Sequence, residues 1–274
     1  MDDQEYCYLK RKVLSRTGID LDSYKSQQMG RRLESLVFSN SCSVVQYCEK
    51  LQNDPDVLRK LQDFLTINVS GFFRDANQFE LLQNTILPDL LKRNYKLNIW
   101  SAGCSHGAES YSVAIILDEI SPGHNHRILA TDIDEGVMAR ATNGGPYSPN
   151  DTRNVSKVRL QKYFSESAGG YQVRDTLKNR VEFKHLNLIG DHFETGFDLI
   201  ICRNVIIYFT EKAKNNLIER FCRSIKDKGV LFLGATETLA VAPCRGLERL
   251  GMCFYQKETI NIRELAPLRV PVHV

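Results

Sequence analysis

Several features that would place a protein at a glance are missing from these 274 residues. No apolar run approaches the roughly 20 residues a membrane span needs, and the polar, acidic opening MDDQEYCYLK has neither the basic nor the apolar region of a secretion signal. A cytoplasmic protein without membrane insertion is expected. The eight cysteines, at positions 7, 42, 48, 104, 202, 222, 244 and 253, include no C-x-x-C pair and no zinc-like spacing, so reduced thiols and no metal site are expected. Strong charge is also lacking: 36 basic residues against 33 acidic ones leave a net charge of +3, too little to argue for a nucleic-acid partner. Internal repeats and low-complexity tracts are absent. There is no G-x-G-x-x-G, which weakens the case for an NAD-dependent dehydrogenase.

What is present divides into two textures. Up to about residue 65 the apolar spacing is helical throughout. EYCYLKRKVLSRTG ends at a glycine, LDSYKSQQMGRRLESLVFSN starts at an Asp22 or Ser23 cap, and SVVQYCEKLQ and DPDVLRKLQDFL follow. After Asn98 strands and helices alternate: LNIWSA, a helix over 108–120, HRILATD, a helix over 135–142, then FDLIICRN, a helix over 210–224, GVLFLGA and CFYQK. That order predicts a parallel sheet covered on both faces. GGYQVR and RVEFKHL, inside a polar interruption, read as an inserted β hairpin. The expected organisation is an all-α domain over 1–65, a linker and helix over 66–97, an α/β domain over 98–260 with its β subdomain at about 165–186, and a tail over 261–274.

Four stretches carry candidate chemistry. In IWSAGCSHGAESYS a strand turns into a helix through Gly103 and Gly107, where a ligand could approach the backbone beyond the strand's carboxyl end. ILATDID ends the next strand at Asp132, placed to accept hydrogen bonds from both hydroxyls of a ribose, while Asp134 suits a helix cap. FDLIICRNVIIYF leaves Arg203 and Asn204 at a strand end, with Tyr208 four residues beyond Asn204. TINVSGFFRDANQFE holds Asn68, Ser70 and Arg74 around Phe72 and Phe73, two rings expected to anchor the segment in the core.

In this order and spacing, INVSGFFRD, IWSAGCSHGAESYS, ILATDID, FDLIICRNVIIYF and GVLFLGATE resemble the CheR family of chemotaxis receptor methyltransferases, over nearly the whole chain. The resemblance implies a Rossmann-like class I methyltransferase domain with a small inserted β subdomain, preceded by an all-α N-terminal domain. It implies an enzyme that uses S-adenosylmethionine, releases S-adenosylhomocysteine and methylates glutamates of methyl-accepting chemotaxis receptors; a monomer is expected. Position by position, it implies that Asn68, Ser70 and Arg74 approach the cofactor from the linker, that Gly103 forms the turn, that Glu109 holds the amino group and that Asp132 binds the ribose. Asn187 and Leu188 border the adenine, Arg203 and Asn204 close the site, and Arg74 and Tyr208 are the candidate catalytic residues. Arg31 and Arg32 are the candidate receptor contacts. The chain departs from the family where GAESYS replaces G-E-E-P-Y-[ST], and where His106 stands in place of threonine. Two other readings are compatible with the residues: a carboxyl methyltransferase with a different substrate, and a module that binds S-adenosylmethionine without transferring the methyl.

Overall fold

The structure, a computed structural model, describes residues 1–66, 68, 70–237, 239 and 246–259. The tail expected at 261–274 lies outside the described residues.

The first four helices, α1 (Asp3–Thr17), α2 (Ser26–Ser39), α3 (Val44–Asn53) and α4 (Pro55–Thr66), close around their own core of Leu9, Val13, Leu33, Tyr47, Leu51 and Leu61. α1 is bounded as its sequence suggests. An Asp2–Glu5 capping box starts it, and Gly18 ends it at φ 71°, a left-handed conformation that glycine adopts without a steric penalty. α2 begins later than the expected Asp22 or Ser23 cap, because Leu21–Ser23 form a separate 3₁₀ turn and Tyr24 is extended. Tyr24 is extended because it pairs with Phe209 of the second domain: Lys25 N–H donates to the Tyr208 carbonyl at 3.0 Å and Thr210 N–H to the Ser23 carbonyl at 2.9 Å.

A linker leads to α5 (Ala76–Leu81), which continues through a π turn at Leu82–Ile86 into α6 (Leu87–Leu91). Phe72 and Phe73 are buried as expected, and the Phe72 ring meets Tyr147 and Phe164 edge-on at 4.8 and 5.0 Å.

The second domain continues with β1 (Asn98–Ala102), α7 (Ala108–Ile120), β2 (Arg127–Asp132), α8 (Glu135–Asn143), α9 (Lys157–Tyr163), β3 (Phe164–Ser167), β4 (Gly170–Val173) and α10 (Asp175–Lys178). It is completed by β5 (Val181–His185), β6 (Phe197–Cys202), α11 (Glu211–Ser224), β7 (Ile225–Leu233), β8 (Leu247–Arg249) and β9 (Phe254–Lys257). Seven strands form one sheet in the order β5-β2-β1-β6-β7-β9-β8. The first five of these run parallel, and the β9 and β8 pairings are antiparallel. Successive strand residues point to opposite faces. Ile99, Ile128, Leu199 and Val230 therefore join the core under α7, while Trp100, Leu129, Ile200 and Leu231 join the one under α11. From β1 the chain steps outward to β2 and β5, then crosses back to lay β6 on the other side of β1, and this reversal opens a crevice at the carboxyl ends of these strands.

Two expectations need correction. The inserted hairpin pairs Phe164–Ser167 with Gly170–Val173. RVEFKHL is no part of it. Residues Val181–His185 extend the main sheet in parallel with β2, because Val181 and Phe183 pack into the core under α7. The thiols are not uniformly reduced either: Cys7, Cys42, Cys48, Cys104, Cys202 and Cys253 are free, whereas Cys222 is disulfide-bonded.

Candidate active site

The crevice is a pocket open to solvent, with about 950 Å³ of empty space that includes part of its open mouth. Each strand end supplies a wall. After β1, Gly103 takes φ +80°, and a Cβ there would lie 2.5 Å from Val205 Cγ2, so only glycine lets the two loops come together. Gly107, at φ +85°, starts α7, whose first turn carries Glu109 into the pocket. The Glu109 carboxylate is buried, accepts a hydrogen bond from Ser101 Oγ at 2.9 Å and pairs with Arg203 Nη1 at 3.3 Å. Burial pushes its carboxyl above the ordinary value, and Arg203 opposes the shift.

At the end of β2, Asp132 accepts the Ser105 N–H at 2.7 Å and the Asp134 N–H at 3.1 Å. Its carboxyl is also raised by burial, against the pull of those backbone donors. Asp134 is the cap the sequence suggested, taking the Gly136 and Val137 N–H groups at 2.9 and 3.2 Å. Its other oxygen accepts from Thr66 Oγ1 at 2.8 Å and Asn68 Nδ2 at 2.7 Å, which ties the linker to the second strand.

Beyond β5, Leu188 is buried, and Asn187 donates from Nδ2 to the Gly18 carbonyl at 2.9 Å in the helical domain. Beyond β6, Arg203 is buried against the Phe79 and Phe232 rings and donates to Asp75, Gln78 and the Arg74 carbonyl as well as to Glu109. Asn204 follows at φ 61°, in the left-handed region.

Asn68, Ser70, Arg74, Gly103, Glu109, Asp132, Asn187, Leu188, Arg203, Asn204 and Tyr208 all line this one pocket. Arg31 and Arg32 are not brought to it. Arg31 is exposed on α2, and Arg32 donates to the Phe64 carbonyl with its guanidinium 4.6 Å from the Phe64 ring centre. His106 is buried outside the pocket, its Nε2 4.0 Å from Asp151, and burial holds its imidazole below the ordinary range.

Sequence reasoning missed Tyr24, Leu65 and Thr66, which reach the pocket from the helical domain, and Ser105. Glu237, at the end of GVLFLGATE, carries no local signal of a contact. Ser105 lay within reach, since it stands between the two turn glycines. Tyr24 left no local signal, because only its pairing with Phe209 brings it there.

Comparisons with known proteins agree with this geometry. Residues 4–66 match the CheR methyltransferase all-alpha domain, and residues 68–246 match the CheR methyltransferase SAM binding domain. A chemotaxis protein methyltransferase of Listeria innocua is 34% identical over 257 residues, covering 93% of this chain and 98% of the relative. Chemotaxis protein methyltransferase 1 of Pseudomonas aeruginosa is 36% identical over 252 residues, covering 86% and 90%. The chemotaxis protein methyltransferase of Escherichia coli is 30% identical over 253 residues, covering 88% and 86%. With both of its domains matched and its pocket built from the strand ends, the chain belongs to the CheR methyltransferase family.

Proposed function

We propose that this enzyme moves a methyl group from S-adenosylmethionine to glutamate side chains on the cytoplasmic helices of chemoreceptors, forming methyl esters, and that it acts as a cytoplasmic monomer. The observation that carries the reading is the meeting of separated segments, at 68–74, 103–109, 132, 187–188 and 203–208, around one pocket.

The donor set fits the cofactor. Two buried carboxylates line one open pocket, and burial holds both above their ordinary pKa, Glu109 despite Arg203 and Ser101 and Asp132 despite its backbone donors, so a cation or further hydroxyl donors would be favoured there. Bound there, S-adenosylmethionine supplies a methyl group carried on a sulfonium cation. In this reading Glu109 takes the amino group, Asp132 accepts from the ribose, and Asn187 and Leu188 border the adenine. Asn68, Ser70 and Asn204 line the path to the acceptor.

A receptor glutamate has an ordinary pKa of about 4.3 and is already ionised at neutral pH, so no general base is needed. The pocket's work is to align and to exclude water. A full bidentate grip by Arg74 would stabilise the acceptor charge more before transfer than during it. Arg74 therefore orients one carboxylate oxygen, and Tyr208 orients the acceptor or lines the methyl's path. Arg31 is the better placed of the two arginines for receptor contact, because Arg32 already engages Phe64.

Radiolabelled donor incubated with the protein and receptor cytoplasmic fragments should yield base-labile label on glutamates. Donor binding without transfer to any fragment would favour a binding module, and label on another carboxylate would identify a different substrate.

A further inference from the structure

Glu237 follows β7, is 2% exposed, does not line the pocket and has no part in the chemistry above. Its Oε2 accepts the Asn204 N–H at 2.7 Å and the Gly234 N–H at 2.8 Å, and its Oε1 accepts the Ile207 N–H at 3.2 Å. One carboxylate thus binds the ends of two neighbouring strands, with backbone N–H groups converging on it as they do on a bound anion. The fit is close: a Cβ on Gly234 would stand 2.6 Å from Oε2. Above the carboxylate, Asn204 holds φ 61°, which a residue other than glycine keeps only when its surroundings fix it. The same turn is pinned from the helical domain, where Lys25 N–H donates to the Tyr208 carbonyl at 3.0 Å. Arg203, Asn204, Val205 and Tyr208, all on this turn, face the pocket.

We propose that Glu237 is a positioning residue for methyl transfer: its carboxylate sets the Asn204–Tyr208 turn from beneath, and so fixes where Tyr208 stands. This inference rests on the methyltransferase reading. A carboxylate suits this place because each of its hydrogen bonds named above is donated to it by a backbone N–H. A glutamine would turn its NH₂ toward one of the backbone N–H groups.

The test uses the full chain with S-adenosylmethionine and a receptor fragment, comparing wild type, Glu237→Gln, Glu237→Asp, Tyr208→Phe and the Glu237→Gln/Tyr208→Phe pair. Glu237→Gln should lower kcat by at least about tenfold while the Kd for S-adenosylhomocysteine moves by less than about threefold, a split that misplacement of a reacting group produces. Glu237→Asp, which keeps the charge, should recover part of the loss. In the Tyr208→Phe background Glu237→Gln should cost less than in wild type, since both changes act through one group. Wild-type kcat in Glu237→Gln, equal losses of kcat and cofactor affinity, or fully additive losses would each overturn the proposal. If Glu237→Gln does not fold, Glu237→Asp and its own cycle with Tyr208→Phe carry the same test. An inactive wild type would sink the methyltransferase reading, whereas an active wild type with an unaffected Glu237→Gln would sink only the role of Glu237.

Discussion

Arg203, at the carboxyl edge of the sheet, is buried and donates to Glu109, Asp75, Gln78 and the Arg74 carbonyl, whereas Arg31 on α2 is exposed to solvent. The contrast extends to the two domains. Around the sheet, charged side chains are held in hydrogen-bonded positions before any ligand arrives, which is the condition for electrostatic preorganisation. On the helical domain the exposed charge is free to meet a partner and contributes little to stability by itself. The halves have separate cores, and Tyr24 packs against both that of the helical domain and the one under α11. In the proposed reading, cofactor capture and receptor choice rest on different residues and should respond separately to mutation.

The largest expected effect comes from breaking the buried pair. Glu109→Ala takes one carboxylate from a buried Arg203 that keeps Asp75, Gln78 and the Arg74 carbonyl, so the stability loss stays below the roughly 3–5 kcal/mol of a fully orphaned buried charge and the main effect falls on cofactor affinity. Thermal unfolding should show the loss, and calorimetry should show weakened binding of S-adenosylhomocysteine. Second is Gly103→Ala, which combines φ +80° with a 2.5 Å approach to Val205. Overpacking and backbone strain together should cost about 2 kcal/mol, read in the same assays.

A smaller effect separates the domains by pH. The Glu109 and Asp132 carboxyls are both raised by burial. In the free protein they make a destabilising contribution that grows as pH rises from the ordinary carboxyl values, about 4, through the raised ones, and is relieved again in acid. Cofactor binding favours their ionised forms, so affinity for S-adenosylhomocysteine should fall as pH is lowered through that same window. Titrations across the range should find this loss in wild type and a weaker one in Asp132→Asn. The smallest effect sharpens the comparison from the other side. Arg31→Glu should lower receptor methylation a few-fold and leave cofactor Kd unchanged, as expected for an exposed charge worth at most about 1 kcal/mol. Parallel loss of both would show that the helical domain's surface is coupled to the pocket.

How much of this was legible depended on whether the signal was local. The parallel strands announce themselves because burial on both faces makes them continuous apolar runs, as in Leu199–Cys202. The residues at their carboxyl ends then follow from the rule that ligands bind there, and the ones singled out meet in the pocket. Val181–His185 was misjudged because Glu182, Lys184 and His185 are exposed on this edge strand, so it alternates like a hairpin arm. β8, three residues long, carried no pattern to detect. The position of Tyr24 depends on a contact across more than 180 residues of chain, which no window of sequence contains. Glu237 follows a strand and looks like an ordinary polar turn residue until the backbone donors around it are seen.

The central claim is that Glu109 and Asp132 form one pocket for the methyl donor. Calorimetric titration of the full chain with S-adenosylhomocysteine at neutral pH tests it most directly. The account predicts saturable binding at a single site, weakened at least about tenfold by Asp132→Asn, the scale of a lost charge-assisted hydrogen bond. No heat of binding in wild type, or undiminished affinity in Asp132→Asn, would contradict it.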